Sequence, residues 1–108
     1  MILFTVWKSE HQYRGFSLEG HAEYAEEGSD LVCAAVSVLA LNTANSIEAF
    51  TEDFFRQELS EDGGYLKMEF PEGVSEKASL LMDSLILGIQ SIQADYGQEY
   101  ITLMFKEV

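Results

Sequence analysis

Residues 29–50 read Ser-Asp-Leu-Val-Cys-Ala-Ala-Val-Ser-Val-Leu-Ala-Leu-Asn-Thr-Ala-Asn-Ser-Ile-Glu-Ala-Phe. Val32, Val36, Leu39, Thr43, Ile47 and Phe50 recur at steps of four, three, four, four and three, which lines them along one side of an α-helix. Ser29 or Asp30 is suited to cap it, because a side-chain oxygen there can accept from an amide that has no partner inside the helix. The pattern predicts one helix from about Asp30 to Phe50, roughly 30 Å long. An apolar stripe of that length must be buried against another layer, and the flanking sequence supplies strands.

Upstream, Ile2, Phe4 and Val6 alternate with Leu3, Thr5 and Trp7, a strand apolar enough on both faces to lie inside a sheet. Ser9 to Gln12 is polar and turns. Tyr13 to Glu19 alternates again, with Phe16 and Leu18 on one face and Ser17 and Glu19 on the other. Gly20 to Ser29 is a polar loop carrying Glu23, Glu26 and Glu27, with permissive glycines, Gly20 and Gly28, near its ends. Downstream, Asp53 to Ser60 and Tyr65 to Phe70 flank Glu61-Asp62-Gly63-Gly64, a hairpin signal. Pro71 closes the second of these strands. Ser75 caps a second helix from about Glu76 to Tyr96, striped by Ala78, Leu81, Leu85, Ile89, Ile92 and Tyr96. Leu80, Met82, Ile86 and Leu87 widen its apolar face, so it is either deeply buried or partly a subunit interface. Tyr100 to Phe105 is a last strand. The order ββαββαβ predicts a single α+β domain over residues 1–108, a mostly antiparallel sheet packed with two long helices.

The chain of 108 residues carries 19 acidic and 6 basic side chains, a net charge of −13, and 47% hydrophobic residues. The apolar content supports a core and argues against disorder. Six scattered cations do not neutralise a phosphate backbone, and an anionic membrane surface repels the chain, so free nucleic acid and membrane are poor partners and a basic protein or peptide a better one. No run of 18 apolar residues is present, which predicts no membrane span. Met1 to Lys8 lacks a charged lead and a cleavage site and reads as a strand rather than a signal peptide. The lone cysteine excludes an intrachain disulfide and fits a reducing, cytoplasmic compartment.

That cysteine, Cys33, falls in the first turn of the first helix if Ser29 or Asp30 is the cap. Unpaired amides and aligned peptide dipoles there favour an anion, and the thiolate is the nucleophilic form of cysteine; the same amides are suited to receive an oxyanion. The other reading makes Cys33 a small core residue among Val32, Ala34 and Ala35. His21 lies on the loop twelve positions earlier. It is either a base that takes the thiol proton and returns it to a leaving amine or an exposed loop histidine, the reading that also fits His11. Asp30 either orients His21 or caps the helix. Ser37, one turn beyond Cys33, bonds toward the sulfur or back to a helix carbonyl. One cysteine and two histidines show no metal-ligand spacing, so no metal and no cofactor is expected. The loop acids form a solvated surface or a negative rim for a basic substrate.

Gly20-His21-Ala22, Gly28-Ser29-Asp30 and Val32-Cys33-Ala34-Ala35-Val36-Ser37 together resemble the motif of Prp, the ribosomal-processing cysteine protease family. The resemblance implies a small homodimeric α/β protein in which Cys33 and His21 are the catalytic pair. Asp30 and Ser37 stay candidate supporting residues with the alternatives given above, and the resemblance implies that the segment hinged at Gly20 and Gly28 rearranges around substrate. It implies a substrate too: the precursor of the twenty-seventh protein of the large ribosomal subunit, cut after an aromatic residue in its short N-terminal extension. Two other classes stay open on the residues alone, a non-catalytic acidic module that binds a basic ribosomal protein and a thiol redox or regulatory protein.

Overall fold

The computed structural model describes residues 1–20, 29–61, 64–96 and 99–108. Its described elements are β1 (Ile2–Ser9), β2 (Gln12–Glu19), α1 (Ser29–Phe50), β3 (Arg56–Leu59), β4 (Tyr65–Glu69), α2 (Glu76–Tyr96) and β5 (Ile101–Glu107). The strands form one sheet in the order β3-β4-β2-β1-β5. The pairs β3–β4, β4–β2 and β2–β1 are antiparallel, and β1–β5 is parallel. The expected α+β architecture and element order are thus present, with β1 inside the sheet.

Register aligns the apolar alternation of neighbouring strands. Phe4 lies opposite Leu18, and Val6 opposite Phe16, which in turn faces Met68. Phe4 and Phe16 stack with centroids 5.6 Å apart. Each such ring removed from water contributes roughly 1.5–3 kcal/mol. This face is covered by Val32, Val36, Ala40, Ala44 and Ile47 of α1 and by Ala78, Met82, Leu85, Ile86 and Ile89 of α2, all buried. The alternate strand positions hold Trp7, Lys67 and Glu69, which keep contact with solvent on the face that carries neither α1 nor α2.

The helices run antiparallel. The Ser75 amide, just before α2, donates to Asp53 Oδ2 beyond the end of α1 at 2.7 Å. Midway, a Cβ on Gly88 would stand 2.8 Å from Leu39 Cδ1, so the glycine makes room for Leu39 against α2.

Several expectations shift. The buried stripe of α1 runs through Ala40 and Ala44, while Leu39 is half-buried against α2 and Phe50 is exposed. Tyr96 is likewise exposed, and of the side chains that widen α2, Met82 and Ile86 are buried while Leu80 and Leu87 face solvent. β1 extends to Ser9, which narrows the turn to Glu10-His11, both with positive φ (51° and 70°). β2 contains a bulge: Trp7 pairs with Gly15 but Lys8 with Tyr13, leaving Arg14 extra and reversing the alternation. Tyr13 therefore turns to the helix side, where its hydroxyl donates to Asp83 Oδ1. β3 begins at Arg56 rather than Asp53, because the Asp53 amide donates to Thr51 Oγ1 and its carboxylate holds Ser75. β5 continues to Glu107. Although the sequence lacks an apolar run of membrane length, Leu31–Phe50 is long and apolar enough to cross a membrane by length and composition only. Val32, Val36, Ala40, Ala44 and Ile47, each no more than 1% exposed, make it a core helix.

Candidate active site

α1 is already helical at Ser29 and Asp30. Neither is therefore the non-helical residue that a cap requires, and Cys33 falls fifth in α1, one turn in. Val32 and Val36 anchor the rotation of this turn by pointing into the core. Cys33 is offset from Val32 by one residue, about 100° around the axis, which puts it at the margin of the buried face. It is half-buried, in contact with the core on one side and reachable on the other. Helical side chains lean toward the N-terminus, so the sulfur is directed back over the first turn, where amide hydrogens lack intrahelical partners. Ser37 lies one turn on, on the same flank and also half-buried.

The other end of the motif is fixed by Gly20. Its amide donates to the Gly64 carbonyl at 3.0 Å, tying the end of β2 to the turn between β3 and β4. Its φ is +93°, and a Cβ there would lie 2.5 Å from the Met1 carbonyl oxygen. Only glycine suits both constraints. The chain directly before His21 is thereby held against the start of β1 and the β3–β4 turn. No composition signal announced that anchorage, although Gly64 itself belongs to the recognisable hairpin.

His21, Gly28 and the loop acids Glu23, Glu26 and Glu27 lie outside the described residues, as does the side chain of Asp30. The structure thus places Cys33, Ser37 and Gly20, and the two segments of the motif meet the frame at these points. Among the described residues no group of three or more His, Cys, Asp or Glu side chains could hold a metal ion. An open hollow of about 600 Å³ lined by Phe50, Asp53, Ser75 and Lys77 lies at the opposite end of α1 from the sulfur.

The family model for cysteine protease Prp matches residues 1–102. The chain belongs to the Prp cysteine protease family. It is a cysteine protease. The Prp of Bacillus subtilis, a ribosomal processing cysteine protease, is 35% identical over 101 residues, covering 89% of this chain and 90% of that one. Its Staphylococcus aureus counterpart is 27% identical over 89 residues, covering 82% and 83%. Among solved structures, a Streptococcus mutans protein superposes with a TM-score of 0.87 at 31% identity over 100% of this chain and 96% of that one. The S. aureus Prp in complex with a substrate peptide superposes with a TM-score of 0.89 at 23% identity, over 98% and 100%, a likeness of fold. The Prp fold therefore spans the chain end to end.

Proposed function

We propose that this protease removes the short N-terminal extension of the precursor of the twenty-seventh protein of the large ribosomal subunit, a step needed for ribosome assembly, with Cys33 as nucleophile and His21 as general base and acid. One observation carries the assignment of the nucleophile. A cysteine protease needs a thiol, and this chain has a single cysteine, half-buried near the start of a helix whose rotation the core fixes. The names of the B. subtilis and S. aureus relatives support a ribosomal substrate, and a net charge of −13 favours a basic one.

In this mechanism His21 takes the thiol proton and the Cys33 sulfur attacks the scissile carbonyl carbon, forming a C–S bond and an oxyanion. Amides at the start of α1 stabilise that oxyanion. The intermediate collapses, the C–N bond breaks, and the protonated imidazole returns its proton to the leaving amine. His21 then takes a proton from water, whose oxygen attacks the thioester, and the sulfur leaves as thiolate. Asp30 steadies the imidazole, Ser37 supports the sulfur from one turn away, and Gly20 and Gly28 are the hinges of the segment between them. The enzyme acts in the cytoplasm as a homodimer.

Incubating the purified protein with a peptide spanning the extension, read by mass spectrometry, tests the reading. The wild type cleaves at one bond after an aromatic residue. Cys33→Ala and Cys33→Ser each lose at least about a thousandfold in rate, with a circular dichroism spectrum unchanged. His21→Ala does likewise. Cleavage that survives Cys33→Ala would remove the thiol from the mechanism and leave the acidic binding module. Iodoacetamide labelling that depends on Cys33 but not His21, without peptide cleavage, would point to a redox thiol instead.

A further inference from the structure

The chain holds six lysines and arginines, and the fold gathers four of them on the face of the sheet opposite the helices. Arg56 lies across from Glu69, Lys67 across from Glu58, and Lys106 beside Trp7, so their side chains share the face on which Trp7 stands. Arg14, the extra residue of the bulge, lines a hollow there with Trp7, Lys67, Glu69 and Val108. On the described strands of this face these four cations meet three acids, Glu19, Glu58 and Glu69, in a chain whose net charge is −13.

The hollow, of about 240 Å³, is built by the register. Gly15 pairs with Trp7 on one side and with Glu69 on the other. The sheet is therefore bare between these two walls, which stand two strand spacings apart, roughly 10 Å. A Cβ at Gly15 would lie 2.3 Å from the Met68 carbonyl oxygen, so no larger residue fills the gap. The Lys67 ammonium lies 5.2 Å from the Trp7 ring centroid and 3.0 Å from Glu69 Oε1, which braces ring and carboxylate. At Arg14 the hollow opens into a second one of about 300 Å³, lined also by Ser9 and Pro71. Among the described residues the Arg14 guanidinium has no carboxylate partner.

We propose that this hollow binds a single nucleotide whose base carries an exocyclic amino group, such as adenosine monophosphate. The base lies against the Trp7 ring, where the Lys67 ammonium now sits, and its amino group donates to Glu69. Arg14, at the junction of the two hollows, takes the phosphate through its paired donors. Chemistry selects this class. A bare phosphate or carboxylate leaves Trp7 unused and is repelled by Glu69, and an uncharged ring leaves Arg14 unmatched. A strand of RNA is disfavoured, because the hollow admits one base and a net charge of −13 repels a polyanion. The place is distinct from the candidate active site. Met1, packed beside Gly20 at that site, precedes Trp7 by six residues of β1, roughly 20 Å, and α1 lies on the other face of the sheet. The inference therefore stands or falls apart from the proposed proteolysis.

Trp7 is the only tryptophan of the chain, so its fluorescence reads the hollow directly. Adenosine monophosphate added to the full chain quenches it saturably, and calorimetry returns the same affinity. Uridine monophosphate, whose base offers Glu69 a carbonyl in place of the amino group, binds about tenfold more weakly. Adenosine without its phosphate loses about tenfold, as does adenosine monophosphate on Arg14→Ala. Inorganic phosphate leaves the fluorescence unchanged. Trp7→Leu abolishes the calorimetric signal, with an unchanged circular dichroism spectrum because the ring keeps contact with solvent. No saturable quenching or heat with millimolar adenosine monophosphate overturns the inference. So does binding that survives both Trp7→Leu and Arg14→Ala, or equal binding of inorganic phosphate. A short oligoadenylate that binds about 100-fold more tightly than the mononucleotide, with the steep salt dependence of a polyanion, assigns the face to RNA, against the inference.

Discussion

α1 and α2 are 22 and 21 residues long and lie antiparallel on one face of the sheet, yet they are held differently. α2 is tied to the frame by directional bonds. The Ser75 amide donates to Asp53 Oδ2 at 2.7 Å, Tyr13 donates to Asp83, and Gln93 Nε2 donates to the Ile101 carbonyl at 3.1 Å, while Ser75 Oγ caps the first turn by accepting from the Ala78 amide at 3.1 Å. The described side-chain hydrogen bonds of α1 turn back on its own backbone, as when Thr43 Oγ1 donates to the Leu39 carbonyl at 2.8 Å. α1 is therefore located by burial, which is strong but non-directional, and α2 by burial plus polar pins. The difference is a division of labour. A helix fixed by its inner side alone leaves its margin free, and Cys33 lies at that margin.

The contrast breaks most visibly at Ile47. This side chain is fully buried, and Ile47→Ala should cost about 2–5 kcal/mol, read as a fall in the urea midpoint at constant slope. The loss of a polar pin from α2 is smaller. Ser75→Ala removes the cap from the Ala78 amide and should cost about 1 kcal/mol, with peptide cleavage unaffected because α1 keeps its seat. If Ser75→Ala destabilised the chain more than Ile47→Ala, packing would not be what separates the two helices.

The same distinction governs what could be read from the residues alone. Elements that depend on periodic burial were legible: both helices, the β1–β2 and β3–β4 hairpins and the last strand follow from spacing of apolar side chains. Features that depend on a particular bond were not. The bulge at Arg14 is invisible in an alternation that looks regular through Phe16 and Leu18, and it alone turns Tyr13 toward α2. Asp53 looks like the start of a strand, but its amide donates to Thr51 Oγ1 and its carboxylate accepts from the distant Ser75 amide, which delays β3 to Arg56. Within α1 the stripe slipped from Leu39 to Ala40 because alanine is apolar enough for either side, and the position of α2, which sequence spacing does not encode, decides between them. At the site, Cys33 was legible as a helix-start thiol, but its displacement by one or two residues, to the fifth position of α1, follows from where the helix begins. Gly20 was legible as a permissive residue; its role as an anchor, pressed against Met1 and bonded to Gly64, required the fold.

Tyr13 sharpens the comparison further, since it is the pin whose strength pH can change. Burial, reinforced by the hydrogen bond and the negative charge of Asp83, pushes its phenol up to about 12 from the usual 10. The neutral phenol is the form the folded state favours. Its contribution is therefore fully present below pH 10, where Tyr13 is protonated in both folded and unfolded chains. It is lost as pH rises from about 10 to about 12, where the unfolded chain has released the proton and the folded one still holds it. Tyr13→Phe keeps the ring, and with it the cation–π contact with Lys8, whose ammonium lies 5.0 Å from the centroid. It removes only the hydroxyl. Near neutral pH the variant should be less stable by about 1 kcal/mol or less, since Asp83 is exposed and regains water. Above pH 10 the gap should close, because the wild type alone pays the cost of holding a proton its unfolded state has given up. Urea titrations of both proteins between pH 8 and pH 11 measure this directly. Stability curves that stayed parallel across that range would mean that the Tyr13 hydroxyl is in water and that α2 lacks this pin.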